Sequence, residues 1–201
     1  MAGTRKPERT RSEILSAANR EIRASGFERA SLENILRDVG VTKGALYHHF
    51  RNKLELGYAV VDELIMEEIS TRWIIPLQQA EAPLSALIEI IKNARDCLES
   101  EQVQYGCPLN NLSQEMSLVD DGFRLRLNRI YECWRGAITD ALQRGQAAGE
   151  VDPQLDSESA AAFIVGALEG ALGMLKTSQD TTVLDHCAKG LIEYLERLHC
   201  A

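Results

Sequence analysis

The sequence predicts an all-α protein of about nine helices, and three observations support that prediction. Apolar residues recur at helical spacing along nearly the whole chain. Strand-like alternation of useful length is absent, and the hairpin-forming pair Asn-Gly does not occur. Because 45% of the 201 residues are hydrophobic, the chain has enough apolar surface to fold around a core rather than remain disordered.

Four helices are expected in the N-terminal part of the chain. Thr10 can cap the first helix and Gly26 can end it, and Ser31 can cap the second. Asn52 can cap a long fourth helix, which Pro76 would stop because proline lacks the amide hydrogen that a continuing helix needs. The expected helices are 11–25, 32–38, 43–49 and 52–75.

The rest of the chain reads as a separate helical body. Pro108 suits the first turn of a helix. The stretch 149–153, which holds a glycine and a proline, breaks a long helix, and Asp156 or Ser157 caps the next one. Stripes of apolar residues give the other boundaries. The helices expected here are about 83–99, one from Pro108 onward, 119–147, 158–176 and 182–198.

Charge is distributed unevenly along the chain. The net charge of −8 argues against a nucleic-acid coat protein or a polybasic membrane binder. Residues 1–55, however, carry 11 Lys and Arg against 7 Asp and Glu, whereas residues 56–201 carry 11 against 23. Residues 1–55 are therefore net basic and the rest of the chain is net acidic, which indicates that only the N-terminal part faces an acidic partner.

The cysteines and the N-terminus indicate a cytoplasmic protein. The five cysteines are scattered and form no C-x-x-C pair, so we expect neither a disulfide framework nor a zinc site, and no other cofactor is indicated. The charged N-terminus lacks the apolar core of a signal peptide, and charged residues interrupt every apolar run, so we expect no membrane partner. A reducing cytoplasm is the compartment that fits these features.

Residues 31–53 read SLENILRDVGVTKGALYHHFRNK and predict a helix-turn-helix. Gly40 ends the first helix of the pair, and a third helix packs behind both. Small residues on the outer face allow close approach to a groove, and the longer polar ones reach phosphates or base edges. A compact three-helix unit with a merely solvated basic face is the alternative. The outer face comprises Thr42, Lys43, Gly44, Ala45, Tyr47, His48 and Arg51.

The segment from Arg11 to about Glu55 closely resembles the DNA-binding domain of the TetR family of bacterial transcriptional repressors. The resemblance rests on Gly-Phe at 26–27, on Ser31, and on the run GVTKGALYHHFRNKLE at 40–55. It implies a homodimer, a quasi-palindromic double-stranded operator and a ligand pocket in the helical body. His48 stands where the family pattern often has a second aromatic residue. The DNA contacts implied by matching positions are Ser31, Thr42, Lys43, Gly44, Tyr47, His48 and Lys53.

Two domains are therefore expected, a helix-turn-helix domain over 1–51 and a ligand-sensing and dimerisation domain over 52–201. The first begins with a basic arm, which either reaches a minor groove or phosphates or stays solvated. The arm consists of Arg5, Lys6, Arg9 and Arg11.

The last two helices are the expected dimer interface. The 158–176 helix is rich in small residues, among them Gly166 and Gly170, which allow close helix approach. Leu191 and Leu195 of the last helix would lie beside them in a four-helix interface. Packing within one chain is the alternative.

The sensor site is expected around the 105–115 segment. Cys107 precedes Pro108, where the dipole of the following helix would stabilise a thiolate, and Lys176 could support it. Some TetR-like regulators of electrophile and oxidant defence carry a similar Gly-Cys segment. An unreactive buried thiol is the alternative. For each aromatic candidate, a plain core residue is the alternative. Further candidates for the lining are Tyr105, Asn111, Trp73, Trp134, Phe163 and Met174.

The function predicted from these features is a ligand- or redox-responsive homodimeric repressor, which binds operator DNA and is released by a small-molecule or electrophile effector. A DNA-binding adaptor controlled by a protein partner is the alternative. An enzyme is not indicated, because the chain has no H-E-x-x-H, no phosphate-binding glycine loop and no G-x-S-x-G.

Overall fold

The structure is a computed structural model that describes residues 7–93 and 100–200, with the side chains of residues 100–102 left out. Within those ranges all regular elements are helical, apart from one isolated antiparallel bridge between Val151 and His199. The predicted all-α architecture is confirmed. Packing divides the chain into two compact units. We call Met1–Glu67 with Pro108–Leu127 the head unit, and Glu68–Cys107 with Asn128–Ala201 the body unit.

Three short-to-medium helices begin the head unit. They are α1 (Pro7–Ser25), α2 (Leu32–Val39) and α3 (Lys43–His49). Thr10, the predicted cap of α1, is instead buried inside the helix, which already includes Pro7, the first residue that the structure describes.

A long helical run over 53–79, here α4, follows the third helix. It alternates between α-helical and π-helical hydrogen bonding, with π-helical segments at Val60–Ile65 and Ser70–Ile74. Pro76 was expected to stop this helix, but the helix continues through it to Gln79. Pro76 lies in the first turn of the α-helical segment Ile75–Gln79, directly after a π-helical segment, where hydrogen bonding changes register and a missing amide hydrogen costs little.

Six further helices complete the described chain. The helix expected over 83–99 is described as far as residue 93, and 94–99 lie outside the described residues. A short helix at Ser100–Tyr105 was not predicted. The six are α5 (Pro83–Asn93), α6 (Ser100–Tyr105), α7 (Pro108–Met116), α8 (Asp121–Ala148), α9 (Ser157–Ser178) and α10 (Thr182–Glu196).

The compact units do not follow the expected division at residue 51. Residues 53–67 and 108–127 pack with the first three helices. Gly57 explains part of this packing, because a Cβ there would overlap the rings of Phe27 and Phe123, whose centroids lie 4.6 Å apart. The expected boundary at residue 51 separates DNA binding from ligand sensing and dimerisation, which packing does not test. It therefore stays a prediction.

Candidate nucleic-acid interface and sensor cysteine

Side-chain caps set the ends of the two helices around the turn. The Oγ of Ser31 accepts the amide hydrogen of Asn34 at 3.3 Å, and the Oγ1 of Thr42 accepts that of Ala45 at 3.2 Å. Gly40 ends α2 in the left-handed conformation, with a φ of 70°, and its amide donates to the carbonyl of Leu36. These caps hold α3 at a fixed angle to α2.

Buried apolar residues fix which face of α3 points outward. Ile35 of α2 and Leu46 of α3 are 2% and 0% exposed, and Phe50 is buried just after α3. The guanidinium of Arg11 lies 5.1 Å from the centroid of the Phe50 ring, which brings α1 against the end of α3. Because the buried residues leave α3 only one solvent-facing side, the other residues of the helix form its outer face.

That outer face consists of the residues predicted to contact DNA. Tyr47 is 42% exposed, and the Nζ of Lys43 lies 5.8 Å from the centroid of its ring. The ideal Cβ position of Gly44 meets only the Oγ1 of Thr42, at 3.8 Å, so the backbone there is open to close approach. Ala45 is half-buried. The exposed residues are Thr42, Lys43, Gly44, Tyr47 and His48.

The two adjacent histidines differ in their surroundings. His48 is exposed, whereas His49 is half-buried beside Phe50, with ring centroids 6.5 Å apart. Burial lowers the pKa of His49 below its ordinary value, and the neighbouring His48 and Arg11 lower it further. The lowered pKa favours the neutral form of His49 at pH 7, and His48 is the exposed imidazole of the two.

Lys53 and Ser31, which are also predicted DNA contacts, lie outside α3 and contact the turn between α1 and α2. The Nζ of Lys53 donates to the carbonyl oxygen of Glu28 at 2.9 Å and sits 5.0 Å from the centroid of the Phe27 ring. The amide of Ser31 donates to Glu21, and its hydroxyl is the α2 cap. Each therefore supports the turn between α1 and α2, while Lys53 keeps further ammonium hydrogens that can donate.

The part of the basic arm that the structure describes belongs to α1. Arg9 pairs with Glu13 at 2.9 Å, and Arg11 forms a two-bond ion pair with Glu63 of α4. Hydrogen bonds from Arg11 are the main reason that the pKa of Glu63 lies below its ordinary value. Arg5 and Lys6 lie outside the described residues. Of the four predicted arm residues, two are thus helical and ion-paired.

The predicted sensor cysteine has a buried acidic neighbour. Cys107 is 8% exposed, and its Sγ donates to the Oε1 of Glu169 in α9 at 3.3 Å. Gly106 before it has a φ of 74°, and a Cβ there would meet the Leu172 carbonyl and the Lys176 side chain at 3.3 Å. The thiol therefore lies against α9 and contacts a carboxyl group, where the sequence had suggested support from Lys176.

Glu169 is a candidate site residue that the sequence analysis did not name. It is 6% exposed, and its Oε2 has no hydrogen-bond partner among the described residues. Burial is the main cause that raises its pKa to about 7, with repulsion from Glu68 as a further cause and the thiol hydrogen bond acting in the opposite direction. The available signal was a single acidic residue in the apolar stretch FIVGALEGALGML.

The other predicted lining residues differ in burial, and they are divided between the two units. Trp134 is buried in the body unit against Trp73, with ring centroids 5.2 Å apart, and its Nε1 has no partner among the described residues. Tyr105 is half-buried, and Asn111 is half-buried in the head unit. Phe163 is 54% exposed and packs edge-on against Tyr194, so it lies on the surface of the chain rather than in an enclosed pocket. Met174, at 50% exposed, is likewise a surface residue.

The expected dimer residues fall into two groups. Gly166 and Gly170 lie on the exposed side of α9, with nothing within 4 Å of an added Cβ at either position. Leu191 and Leu195 were expected beside them, but they are 6% and 0% exposed within a single chain. These two leucines lie on the side of α10 that packs inward within the chain, and their part in a dimer interface stays a prediction.

Two further features, its potential metal ligands and one long apolar helix, bear on what the chain can bind. Among the described residues no group of three or more His, Cys, Asp or Glu is placed to hold a metal ion. The helix Ser157–Ser178 is long and apolar enough to cross a membrane by length and composition, which is weak evidence because helices of soluble proteins meet the same criterion.

Two family models match the chain. The model for bacterial regulatory proteins of the tetR family matches residues 14–60, and that for the tetracyclin repressor-like C-terminal domain matches residues 83–191. The first match includes the whole helix-turn-helix, and the second includes Cys107, Glu169 and the exposed glycines Gly166 and Gly170 of α9.

Characterised relatives and a solved structure agree with these matches. The chain is 30% identical to the transcriptional regulator AcuR of Cereibacter sphaeroides, over 79% of this chain and 73% of the relative. It is 29% identical to the HTH-type transcriptional regulator TtgR of Pseudomonas putida, over 78% and 77%. A TetR transcriptional regulator from Chloroflexus aurantiacus superposes with a TM-score of 0.87 at 26% identity, covering 98% of each chain. These relatives are transcriptional regulators rather than enzymes.

Proposed function

The chain belongs to the TetR family of bacterial transcriptional regulators, and from that premise we propose that it is a homodimeric repressor of the cytoplasm. It binds a quasi-palindromic operator and leaves it when a small-molecule or electrophilic effector reacts or binds in the body unit. The observation that carries the proposal is the outer face of α3, where Lys43, Tyr47 and His48 are exposed together on a helix whose other face is buried.

The composition of that face suits a major groove. Lys43 and Tyr47 can bond phosphates or base edges, and the open backbone at Gly44 lets the helix approach closely. In a dimer, two such helices would enter successive major grooves about 34–36 Å apart. The basic excess of residues 1–55 favours DNA on this side of the molecule.

The dimer is proposed to form through the exposed stripe of α9. Apart from the adjacent Ala162 and Phe163, its residues follow one another at intervals of three or four positions, which places them on one helix face, and they are small or apolar. Small residues let a helix of a second copy approach closely, and apolar ones gain from losing water. The stripe comprises Ala162, Phe163, Gly166, Gly170 and Met174.

The effector is proposed to act at or near Cys107. Two buried polar atoms of the body unit, the Oε2 of Glu169 and the Nε1 of Trp134, have no partner among the described residues, and a bound small molecule could satisfy such atoms. The π-helical segments of α4 give that helix alternative hydrogen-bond registers through which it could tilt. Binding of effector and DNA would then be coupled reciprocally, typically by about 1–3 kcal/mol.

The DNA part of the proposal is tested by selection from random double-stranded DNA with the purified chain, followed by sequencing. One quasi-palindromic motif is expected, which the Lys43→Ala variant should recover poorly and the Lys189→Ala variant should recover normally. Lys189 is a suitable control because it is an exposed lysine of α10, outside the head unit. Diffuse recovery without a motif would contradict the proposal.

The effector part is tested on the selected operator. A small electrophile, methyl vinyl ketone, is added to the protein–DNA complex, and release is followed by fluorescence anisotropy. We expect release from the parent and from Cys133→Ser, which removes an exposed thiol, but not from Cys107→Ser. Equal release from Cys107→Ser would show that Cys107 is not the sensor.

A further inference from the structure

Cys107 and Glu169 form a buried pair, in which the thiol is hydrogen-bonded to a carboxyl group. The thiol donates its hydrogen to the Oε1 of Glu169 at 3.3 Å, so the proton that must leave before the sulfur can react already points at an acceptor. The two residues are 62 positions apart in the chain and are brought together by the packing of the body unit.

The carboxyl group of Glu169 lies in a buried position that lowers the stability of the folded chain. Glu169 is 94% buried, since only 6% of it is exposed, and its second oxygen has no hydrogen-bond partner among the described residues. An unsatisfied buried carboxyl oxygen lowers stability, because water that solvated it in the unfolded chain is lost without replacement. A group kept at such a cost is a candidate for function.

The charges around Glu169 set its protonation. Among the described residues, the titratable groups that shift its pKa are the Cys107 thiol and Glu68 of α4, and the only cation of its own helix is Lys176, seven residues further on. Burial and the Glu68 charge disfavour its ionised form, and its pKa of about 7 means that both forms are populated near neutral pH. A base with a pKa near the working pH is the most effective proton acceptor.

We propose that Glu169 is the proton acceptor for Cys107 when this thiol adds to a small, neutral electrophile with an electron-poor carbon–carbon double bond. The inference rests on the proposed sensor role of Cys107 and names the residue that makes the reaction possible.

The reaction balances without a further reagent. Ionised Glu169 takes the thiol proton, and the resulting thiolate, which is the nucleophilic form of cysteine, forms a bond from Sγ to the β-carbon of the electrophile. The π electrons of the double bond move to the α-carbon, which then takes the proton back from the Glu169 carboxylic acid. The product is a thioether, and Glu169 ends as it began.

The surroundings of the thiol define the class of electrophile. Cys107 is 8% exposed, which favours a molecule of few atoms. Ionised Glu169 places negative charge beside the thiol before the reaction, and Glu68 adds negative charge around Glu169, which disfavours an anionic electrophile. An α,β-unsaturated ketone or aldehyde meets both requirements, whereas an unsaturated carboxylate or sulfonate does not.

The test uses the full chain with Cys97, Cys133, Cys187 and Cys200 changed to Ser, so that Cys107 is the only thiol. The rate of its modification by methyl vinyl ketone is measured by intact mass between about pH 5.5 and pH 9. We expect the rate to rise with a midpoint near 7, the pKa of Glu169. Glu169→Gln should remove that midpoint and slow the reaction at neutral pH by about tenfold or more. Glu158→Gln, at an exposed position of the same helix, should leave both unchanged.

Three results would overturn the inference. One is a reaction that is as fast or faster in Glu169→Gln, which would mean that the carboxyl group suppresses the thiolate. If that variant fails to fold, the parent still decides, because a rate that rises only near the ordinary thiol pKa of about 8.5 would exclude Glu169 as the acceptor. The third is equal reactivity toward vinylsulfonate and methyl vinyl ketone, after each rate is divided by its rate with glutathione.

A second measurement, whether the modified protein releases operator DNA, distinguishes this inference from the proposed function. If Cys107 is modified in a Glu169-dependent reaction and the operator stays bound, Glu169 is the proton acceptor and the effector proposal fails. If methyl vinyl ketone does not modify Cys107 in the folded protein, the inference fails, and the DNA-binding proposal is unaffected.

Discussion

The carboxylate of Glu115 accepts the backbone amide hydrogen of Phe27 at 2.9 Å, although the two residues are 88 positions apart in the chain. Its other oxygen accepts the amide hydrogen of Glu28 at 2.8 Å. Gly26, with a φ of 81°, makes room for this contact, since a Cβ there would meet both carboxylate oxygens at 2.9 Å. The turn between α1 and α2 is therefore held by a side chain of α7, the helix that begins directly after Cys107.

Glu115→Gln is expected to destabilise the head unit. A neutral amide offers one acceptor oxygen, and its NH2 group would face the second backbone amide hydrogen, so one charge-assisted bond is lost and one donor is left unpaired. The expected loss is about 1–3 kcal/mol of unfolding free energy, measured by urea denaturation. Gln114→Ala, at an exposed neighbouring position, is the control. Equal stability of Glu115→Gln and the parent would mean that the turn holds itself.

Lys43→Ala is expected to weaken operator binding by about tenfold and to flatten its dependence on salt. An ammonium on a phosphate releases condensed counterions, so its removal should lower the slope of log affinity against log salt by about one unit. The measurement is anisotropy titration at several salt concentrations, with Lys189→Ala alongside. A weaker affinity with an unchanged slope would place Lys43 on a base edge instead of a phosphate.

The local elements of the head unit were predictable because their signals are local. Ser31, Gly40 and Thr42 act within three or four residues, and the structure has each where the sequence placed it. The cap predicted at Thr10 and the helix end predicted at Pro76 were wrong, because the surrounding helix overrides the local preference of each residue. Thr10 lies inside a helix that already includes Pro7, and the π-helical segment Ser70–Ile74 is followed by a proline that an uninterrupted α-helix would not accommodate.

Contacts between distant segments were not predictable from one sequence. The bond from Lys53 to the carbonyl of Glu28 could not be inferred from spacing, and neither could the pair of Cys107 with Glu169. Spacing in the sequence likewise could not show that Leu191 and Leu195 face inward. Both faces of α10 carry apolar residues, so periodicity alone left open which face meets its own chain and which is open to a partner.

Gly170→Glu is expected to prevent dimer formation without unfolding the chain. An added Cβ at this exposed glycine meets nothing within 4 Å in a single chain, but a charge in a close helix contact would lose its water. Sedimentation velocity should give a monomer for the variant and a dimer for the parent. Gly136→Glu is the matched control, since this glycine of α8 has equally open surroundings. A dimer in Gly170→Glu, with circular dichroism unchanged, would place the interface elsewhere.

Glu169→Gln is expected to change how stability depends on pH. The folded-state pKa of Glu169, about 7, lies above the ordinary value of 4.5, so between these two pH values the folded chain binds more protons than the unfolded chain. Unfolding free energy should therefore fall as pH rises through this window, and the cost of the buried charge is fully present above pH 7. Since one pKa unit corresponds to about 1.4 kcal/mol, the parent should lose about 2 kcal/mol relative to Glu169→Gln between about pH 5.5 and pH 8.

Urea denaturation of both proteins at the two pH values, at one protein concentration, measures this difference and cancels the groups that they share. Glu158→Gln should follow the parent, because its carboxyl group is exposed. Parallel pH profiles for the parent and Glu169→Gln would mean that the carboxyl group titrates as an exposed one. It would then be ionised throughout the neutral range, and its proposed exchange of a proton with Cys107 would lose its physical basis.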